Sequence, residues 1–216
     1  MKLAVFDCDG TLIDGQASIC EAMEQAFRDH NLPLPWRNDI RRAVGLSLVQ
    51  SIRTMLPEAR EQVHVEVAES YKQHFRAARA SGTLQQPLFD GMKGLLADLR
   101  AAGWELGVAT GMSRRGLDHC LETHGIADWF VTLQTADDHP SKPNPAMLEA
   151  ALFVAGAAPG EAVMIGDTAY DIEMARSAGV RAIGVDWGYH ARAELLAAGA
   201  ECVAAEPEDL GEYLLR

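Results

Sequence analysis

Asp7 and Asp9 stand two residues apart and are followed at once by Gly10 and Thr11, while Asp167 and Asp171 stand four apart around Thr168. Between these pairs lie Thr110-Gly111 and Ser141-Lys142-Pro143. If the chain gathers these segments, four carboxylates share a small space with one lysine and one threonine. Carboxylates packed that closely repel and shift toward protonation unless a cation sits among them. Magnesium is the natural candidate, since it prefers oxygen ligands and usually keeps waters beside a few carboxylates. Taken singly, each residue has a plainer use. Asp7 and Asp9 could form a solvated strand-end turn, Thr110 and Asp167 could cap helices, and Lys142 could lie on the surface. The choice turns on whether the fold brings the four loops to one place.

The surrounding pattern supplies such a fold. Leu3–Phe6 is short and wholly apolar, as expected of a buried parallel strand ending in a loop. Helical periodicity alone follows, in Ile19, Ala22, Met23, Ala26 and Phe27, then over Asn38–Val44, Ser47–Met55 and Glu58–Ala80. In the last of these, Val63, Val67, Tyr71 and Phe75 form a stripe that reads as the core of a small helical unit. From Pro87 on, helices and strands alternate: helix Met92–Ala102, strand Glu105–Ala109, helix Ser113–His124, strand Phe130–Thr135, helix Pro145–Ala155, strand Ala162–Ile165. Helix Ala169–Ala178, strand Arg181–Val185, helix Ala191–Ala198, a strand near Cys202–Ala204 and a helix near Glu208–Leu214 complete the alternation. Glycines at 103, 125, 156, 179 and 199 fall just past helices, where a left-handed residue ends them. The expected architecture is α/β, a Rossmann-like parallel sheet with helices on both faces and a small all-helical cap inserted after the first strand. The core spans 1–14 and 83–216, and the cap spans 15–82. In an open parallel sheet, ligands bind outside the carboxyl ends of the strands, where all four loops fall.

Composition narrows the partners. With 31 acidic residues against 19 Lys plus Arg, the formal charge of −12 is the wrong sign for nucleic acid or an anionic membrane surface. No apolar run approaches the ~20 residues of a membrane span. Cys8, Cys20, Cys120 and Cys202 form no C-x-x-C pair, so reduced thiols and a cytoplasmic location are expected. The histidines show no metal-binding spacing, and the chain lacks a Walker loop, a dinucleotide-binding G-x-G-x-x-G and a G-x-S-x-G elbow.

Asp7-Cys8-Asp9-Gly10-Thr11-Leu12 resembles the first motif of the haloacid dehalogenase superfamily, and Thr110, Lys142 and Gly166-Asp167-Thr168-Ala169-Tyr170-Asp171 stand where that family has its other three, in order. The helical insertion resembles the small cap of the phosphoglycolate phosphatase and β-phosphoglucomutase branch. The tail Trp187-Gly188-Tyr189-His190 looks more like the phosphatase side. The resemblance implies Asp7 as nucleophile forming an aspartyl phosphate, and Asp9 as general acid and base with its backbone carbonyl on the metal. It further implies magnesium held by Asp7, Asp9 and Asp167, with Asp171 holding waters or Lys142. Lys142, Thr110 and the Gly111 amide would hold phosphoryl oxygens, and Gly10 would permit close backbone approach.

The activity so implied is a magnesium-dependent phosphatase of a small phosphorylated metabolite such as phosphoglycolate, in a monomer or homodimer. A sugar phosphomutase of the same branch is the nearest alternative; a phosphoaspartate receiver or an idle interaction module is the alternative of another class. Asp9 favours phosphoryl transfer over dehalogenation, because a halide leaves unprotonated. Receivers lack the helical insertion, and an idle module would be expected to have lost Asp7 or Asp9. By resemblance Gly45-Leu46-Ser47 faces the site, and Arg41, Arg42, Arg53, Lys72 and Arg76 are the cap cations available to a substrate carboxylate.

Overall fold

The computed structural model describes residues 2–215. Strand β1 (Lys2–Phe6) lies inside a six-stranded parallel sheet with β2 (Trp104–Thr110), β3 (Phe130–Thr135), β4 (Ala162–Gly166), β5 (Arg181–Val185) and β6 (Cys202–Ala204), in the order β3-β2-β1-β4-β5-β6. The strand order reverses between β1 and β4, which pair directly from Leu3–Ala162 to Phe6–Ile165. That reversal opens a crevice at their carboxyl ends. Asp7 and Asp167, each one residue past its strand, are thereby brought side by side.

Between β1 and the second strand run α1 (Gln16–Asp29), α2 (Arg37–Ala43), α3 (Leu48–Met55) and α4 (Glu61–Ala80), followed by α5 (Met92–Ala101). The first four enclose an apolar cluster of their own, with Met23, Phe27, Ile40, Ile52 and Val67 at most 2% exposed. The two chain crossings to the sheet lie together: the Asp14 amide donates to Pro87 O at 2.8 Å, and Ile13 bridges Leu88.

The remaining helices are α6 (Arg114–Thr123), α7 (Ala146–Ala155), α8 (Ala169–Ser177), α9 (Arg192–Ala198) and α10 (Pro207–Leu215). Side-chain alternation along β1 divides the core. Ala4 and Phe6 pack with α5, α6 and α10, whereas Leu3 and Val5 pack with α7, α8 and α9. Every strand is thus covered twice, and each fully buried Phe, Leu or Val contributes about 1.5–3 kcal/mol.

Several boundaries move from the sequence expectation. Strand β2 runs through Thr110, which pairs with Thr135, so Thr110 ends a strand where a loop residue was expected. Helix α4 starts at Glu61 and not at 58, because the chain turns after Pro57 (Ala59 N to Leu56 O, 3.1 Å) and Arg60 is still extended. Short 3-10 turns at Ala127–Trp129 and Pro159–Glu161 lead into β3 and β4 and were not anticipated. Glycines past helices do take left-handed backbone, with φ of 66° at Gly156 and 109° at Gly199. All four cysteines are free. Among the described residues, no helix is long and apolar enough to cross a membrane.

Candidate active site

Asp7 leaves β1 with its amide donating to Ile165 O at 2.9 Å, so the neighbouring strand sets its position. The next residues coil into a tight turn, with the amides of Leu12 and Ile13 both reaching Cys8 O. Gly10 sits in that turn at φ +88°, and any side chain there would collide with Asp167 Oδ2 and the Tyr189 ring. Only a glycine lets the turn lie flat against the fourth-strand loop.

Asp167 is held from two sides. Thr11 Oγ1 donates to its Oδ1 at 2.8 Å, and the Tyr189 amide donates to its Oδ2 at 2.9 Å. Asp171, at the third position of α8, caps that helix: the Thr168 amide and hydroxyl donate to its Oδ2 at 3.0 and 2.7 Å. Its other oxygen accepts from Lys142 Nζ at 2.6 Å. The same ammonium stands 2.9 Å from Asp7 Oδ1 as an ion pair, its bonding geometry directed at Asp171. Lys142 is 1% exposed, far from the surface lysine its sequence context allowed.

One oxygen from each of Asp7, Asp167 and Asp171 falls within a 4.8 Å group, which makes this trio the candidate metal ligands among the described residues. The Asp9 carboxylate is outside it. Neither oxygen of Asp7, nor Asp9 Oδ1, accepts a hydrogen bond, although all three atoms are buried. Buried acceptors without donors are costly unless something else meets them.

The electrostatics follow from that crowding. Burial raises Asp7 to about 6, with Lys142 pulling it down and Asp171 pushing it up. Burial, then the charge of Asp7, raises Asp9 to about 7. Asp167 is raised by burial and by the charges of Asp7 and Asp171. Burial alone would lower Lys142, but Asp171 and Asp7 outweigh it and hold the ammonium charged. A lone lysine thus faces more negative charge than it can balance.

The second-strand loop closes the arrangement. Thr110, 1% exposed, and Gly111 line a cavity of about 510 Å³ together with Asp7 and Asp9. A side chain at Gly111 would strike the carbonyls of Gly45 and Leu46, so the loop 45–47 rests directly on the sheet edge. The Ser47 amide also donates to Ser141 Oγ at 2.8 Å, tying that loop to the residue before Lys142. All of the sequence-picked core residues therefore meet around one cavity or its carboxylate floor.

The cap cations divide. Lys72 and Arg76 line the cavity; Arg42 pairs with Glu194 at 2.6 Å and Arg53 with Glu61 at 2.5 Å; Arg41 lines a separate hollow of about 200 Å³. The expected cap-core stripe holds at Val67, 0% exposed, while Tyr71 and Phe75 pack on the helical cluster and also line the cavity. Buried His190 ties elements together, accepting from the Ala169 amide at 3.2 Å and lying 3.1 Å from Arg42 O.

Sequence reasoning missed the Tyr189 amide, the Thr11 hydroxyl, and two further cavity residues, Arg79 and Arg115. Gly188 carried a signal for the first, since a side chain there would collide with Asp167.

The chain is 36% identical over 200 residues to a probable phosphatase IndB of Dickeya dadantii, covering 91% of this chain and 86% of that protein. It is 30% identical over 223 residues to a phosphoglycolate phosphatase of Vibrio vulnificus, covering 99% and 93%. A predicted phosphatase from Clostridium acetobutylicum has the same fold, with a TM-score of 0.90 at 24% identity over 99% and 98% of the two chains. The haloacid dehalogenase-like hydrolase profile matches residues 4–185, a span that includes all four loops, and the chain belongs to that family.

Proposed function

We propose that the protein is a magnesium-dependent phosphatase that hydrolyses a small organic phosphate monoester through an aspartyl phosphate on Asp7. The observation that carries this reading is a buried carboxylate ion-paired with Lys142, its other oxygen without a hydrogen bond, next to a second carboxylate raised to about 7. Phosphoglycolate is the first substrate to try, from the name of the Vibrio vulnificus relative.

The donor set suits magnesium: hard oxygen ligands, three carboxylates within 4.8 Å and one lysine too few to neutralise them. Asp7 and Asp167 would hold it, with the Asp9 carbonyl, while Asp171, both oxygens already engaged by Lys142 and Thr168, would act through waters. Bound there, the metal supplies positive charge to the phosphoryl oxygens and to the attacking carboxylate.

The chain's own residues do the rest. The ionised Asp7 oxygen attacks phosphorus, a P–O bond to the aspartate forms, and the bond to the leaving oxygen breaks. Asp9, protonated up to about pH 7, delivers its proton to that oxygen. Water then attacks the acyl phosphate, Asp9 takes the water's proton, and Asp7 is restored as inorganic phosphate departs. Lys142, Thr110 and the Gly111 amide hold the phosphoryl oxygens, and residues 15–82 act as the cap that excludes bulk water.

The test is release of free phosphate from a panel of short phosphorylated acids, sugars and aryl esters, with chelator and then with added magnesium. The reading requires phosphate release that chelation abolishes and magnesium restores. Transfer to a second sugar hydroxyl without free phosphate would make the protein a mutase.

A further inference from the structure

The cavity has a second chemical character that the phosphoryl-transfer groups do not use. Away from Asp7 and Asp9 one part of its wall is apolar, made by Ile40, Val44, Leu46, Tyr71 and Phe75. Its volume of about 510 Å³ lies in the range of roughly 300–1,000 Å³ that holds a ring-containing ligand. The helical layer touches the sheet edge through Ser47 to Ser141 and Arg42 to Glu194, and the cavity lies between the two.

Three arginines, Arg76, Arg79 and Arg115, line the same cavity. Among the described residues the ion pairs leave Arg79 and Arg115 without a carboxylate. Asp137, the other acidic residue of the wall, accepts from the Arg114 amide at 2.8 Å. Arg79 Nε is buried with no acceptor, and burial, then the charge of Arg115, disfavours its protonated form. Two guanidinium groups close enough to repel, one with an orphaned donor, form a site for an anion.

Spacing separates this site from the reacting one. Tyr71 lies close enough to Asp9 to feel its charge. Tyr71, Phe75 and Arg79 recur every four residues on α4, so Arg79 is two turns, about 12 Å of helix axis, beyond Tyr71. Phosphoglycolate carries its two anionic ends only a few bonds apart and has no apolar body to place between them.

We propose that the substrate class of this site is a phosphate monoester with a ring-sized apolar body and a second anionic group, the body lying against Tyr71 and Phe75 and the anion against Arg79 and Arg115. This rests on the phosphatase reading, so the test has one arm that needs no turnover. In the first arm, phosphate release by the wild-type protein is compared for phosphoglycolate, phenyl phosphate and 4-carboxyphenyl phosphate. The carboxyaryl ester is expected to exceed each of the others at least tenfold in kcat/KM. In the second, calorimetry follows binding of the two aryl esters to the Asp7→Asn protein. Adding Arg79→Gln is expected to weaken 4-carboxyphenyl phosphate about tenfold more than phenyl phosphate, and Arg79→Lys to recover part of that difference. A preference for phosphoglycolate, or equal losses for the two aryl esters, overturns the proposal. If binding follows the expectation and no ester is cleaved, the phosphatase reading falls and the anion site stands.

Discussion

On the sheet edge, Lys142 sits between Asp7 and Asp171 with all three side chains at most 1% exposed, whereas Arg79 on α4 and Arg115 on α6 face the same cavity without a carboxylate partner. The floor is rigid by construction. Each carboxylate there follows a central strand or caps α8, and neighbouring backbone or hydroxyl groups orient Asp167 and Asp171. The roof is mostly side chains on α4 and the loop 45–47, tied to the sheet edge by the Ser47 amide on Ser141 and by Arg42 on Glu194. In the proposed reaction, the groups that place charge on phosphorus are thus anchored by backbone, while recognition of the leaving group falls to side chains on helices.

The largest effect should come from the floor. Asp7→Asn is expected to lower turnover of an aryl phosphate about a thousandfold or more while the melting temperature is kept, since the nucleophile is lost and a desolvated charge is removed. Turnover within tenfold of wild type would remove Asp7 from the nucleophile role. Next, Lys142→Met leaves Asp7 and Asp171 facing each other without their cation. Urea unfolding of the metal-free protein should show a loss of about 3–5 kcal/mol, the range for breaking a buried pair; a loss under about 1 kcal/mol would mean that the buried lysine is not what holds the floor together.

Asp9 tests whether the floor is strained by charge. Its folded-state value, about 7, lies above the ordinary 3.8, so folding disfavours its ionisation. Below about pH 4 the group is neutral in both states and contributes nothing; as pH rises toward 7 the folded state loses stability relative to the unfolded one. In metal-free protein, Asp9→Asn should therefore be more stable than wild type at pH 8, on the order of 1–2 kcal/mol after allowing for its partial exposure, and equal to it near pH 4. A stability gap that does not change with pH would contradict this.

The contact of smallest expected effect joins the two regions. Arg42 and the Ala191 amide draw Glu194 down to about 2, yet its side chain is 36% exposed and that of Arg42 47%. Water and salt screen such a pair, so Arg42→Ala should change stability by less than about 1 kcal/mol by thermal unfolding. A larger loss would mean that the roof is fastened at this edge.

Much of this was legible in the residues themselves. Short apolar runs, each ending in a polar loop, predict parallel strands, and α/β alternation predicts that the loops share an edge. The helical stretch without a strand between Asp14 and Gly82 is equally plain, because most of its apolar residues recur with a period near 3.6, the brief Val63-Val65-Val67 alternation aside. Legibility ends where the interaction is between distant side chains. Arg79 has the same local pattern as the paired cations Arg42 and Arg53, and only the packing of α4 over the sheet edge leaves it without a partner. Thr11 and Tyr189 are 178 positions apart, and their grip on Asp167 depends on the turn after β1 meeting the loop after β5.

The sequence by itself determined the floor: which loops carry carboxylates, which lysine stands among them, and that the apolar runs form a parallel sheet covered on both faces; the strand order β3-β2-β1-β4-β5-β6 came only from the tertiary structure. Local periodicity and turn chemistry suffice for the former, because each element is specified within a few residues. Only the tertiary structure decided what the space beneath the roof offers, a cavity of about 510 Å³ with a partly apolar wall and unpaired arginines, because its volume and its charge balance are sums over residues that meet only after α1–α4 have packed over the sheet edge.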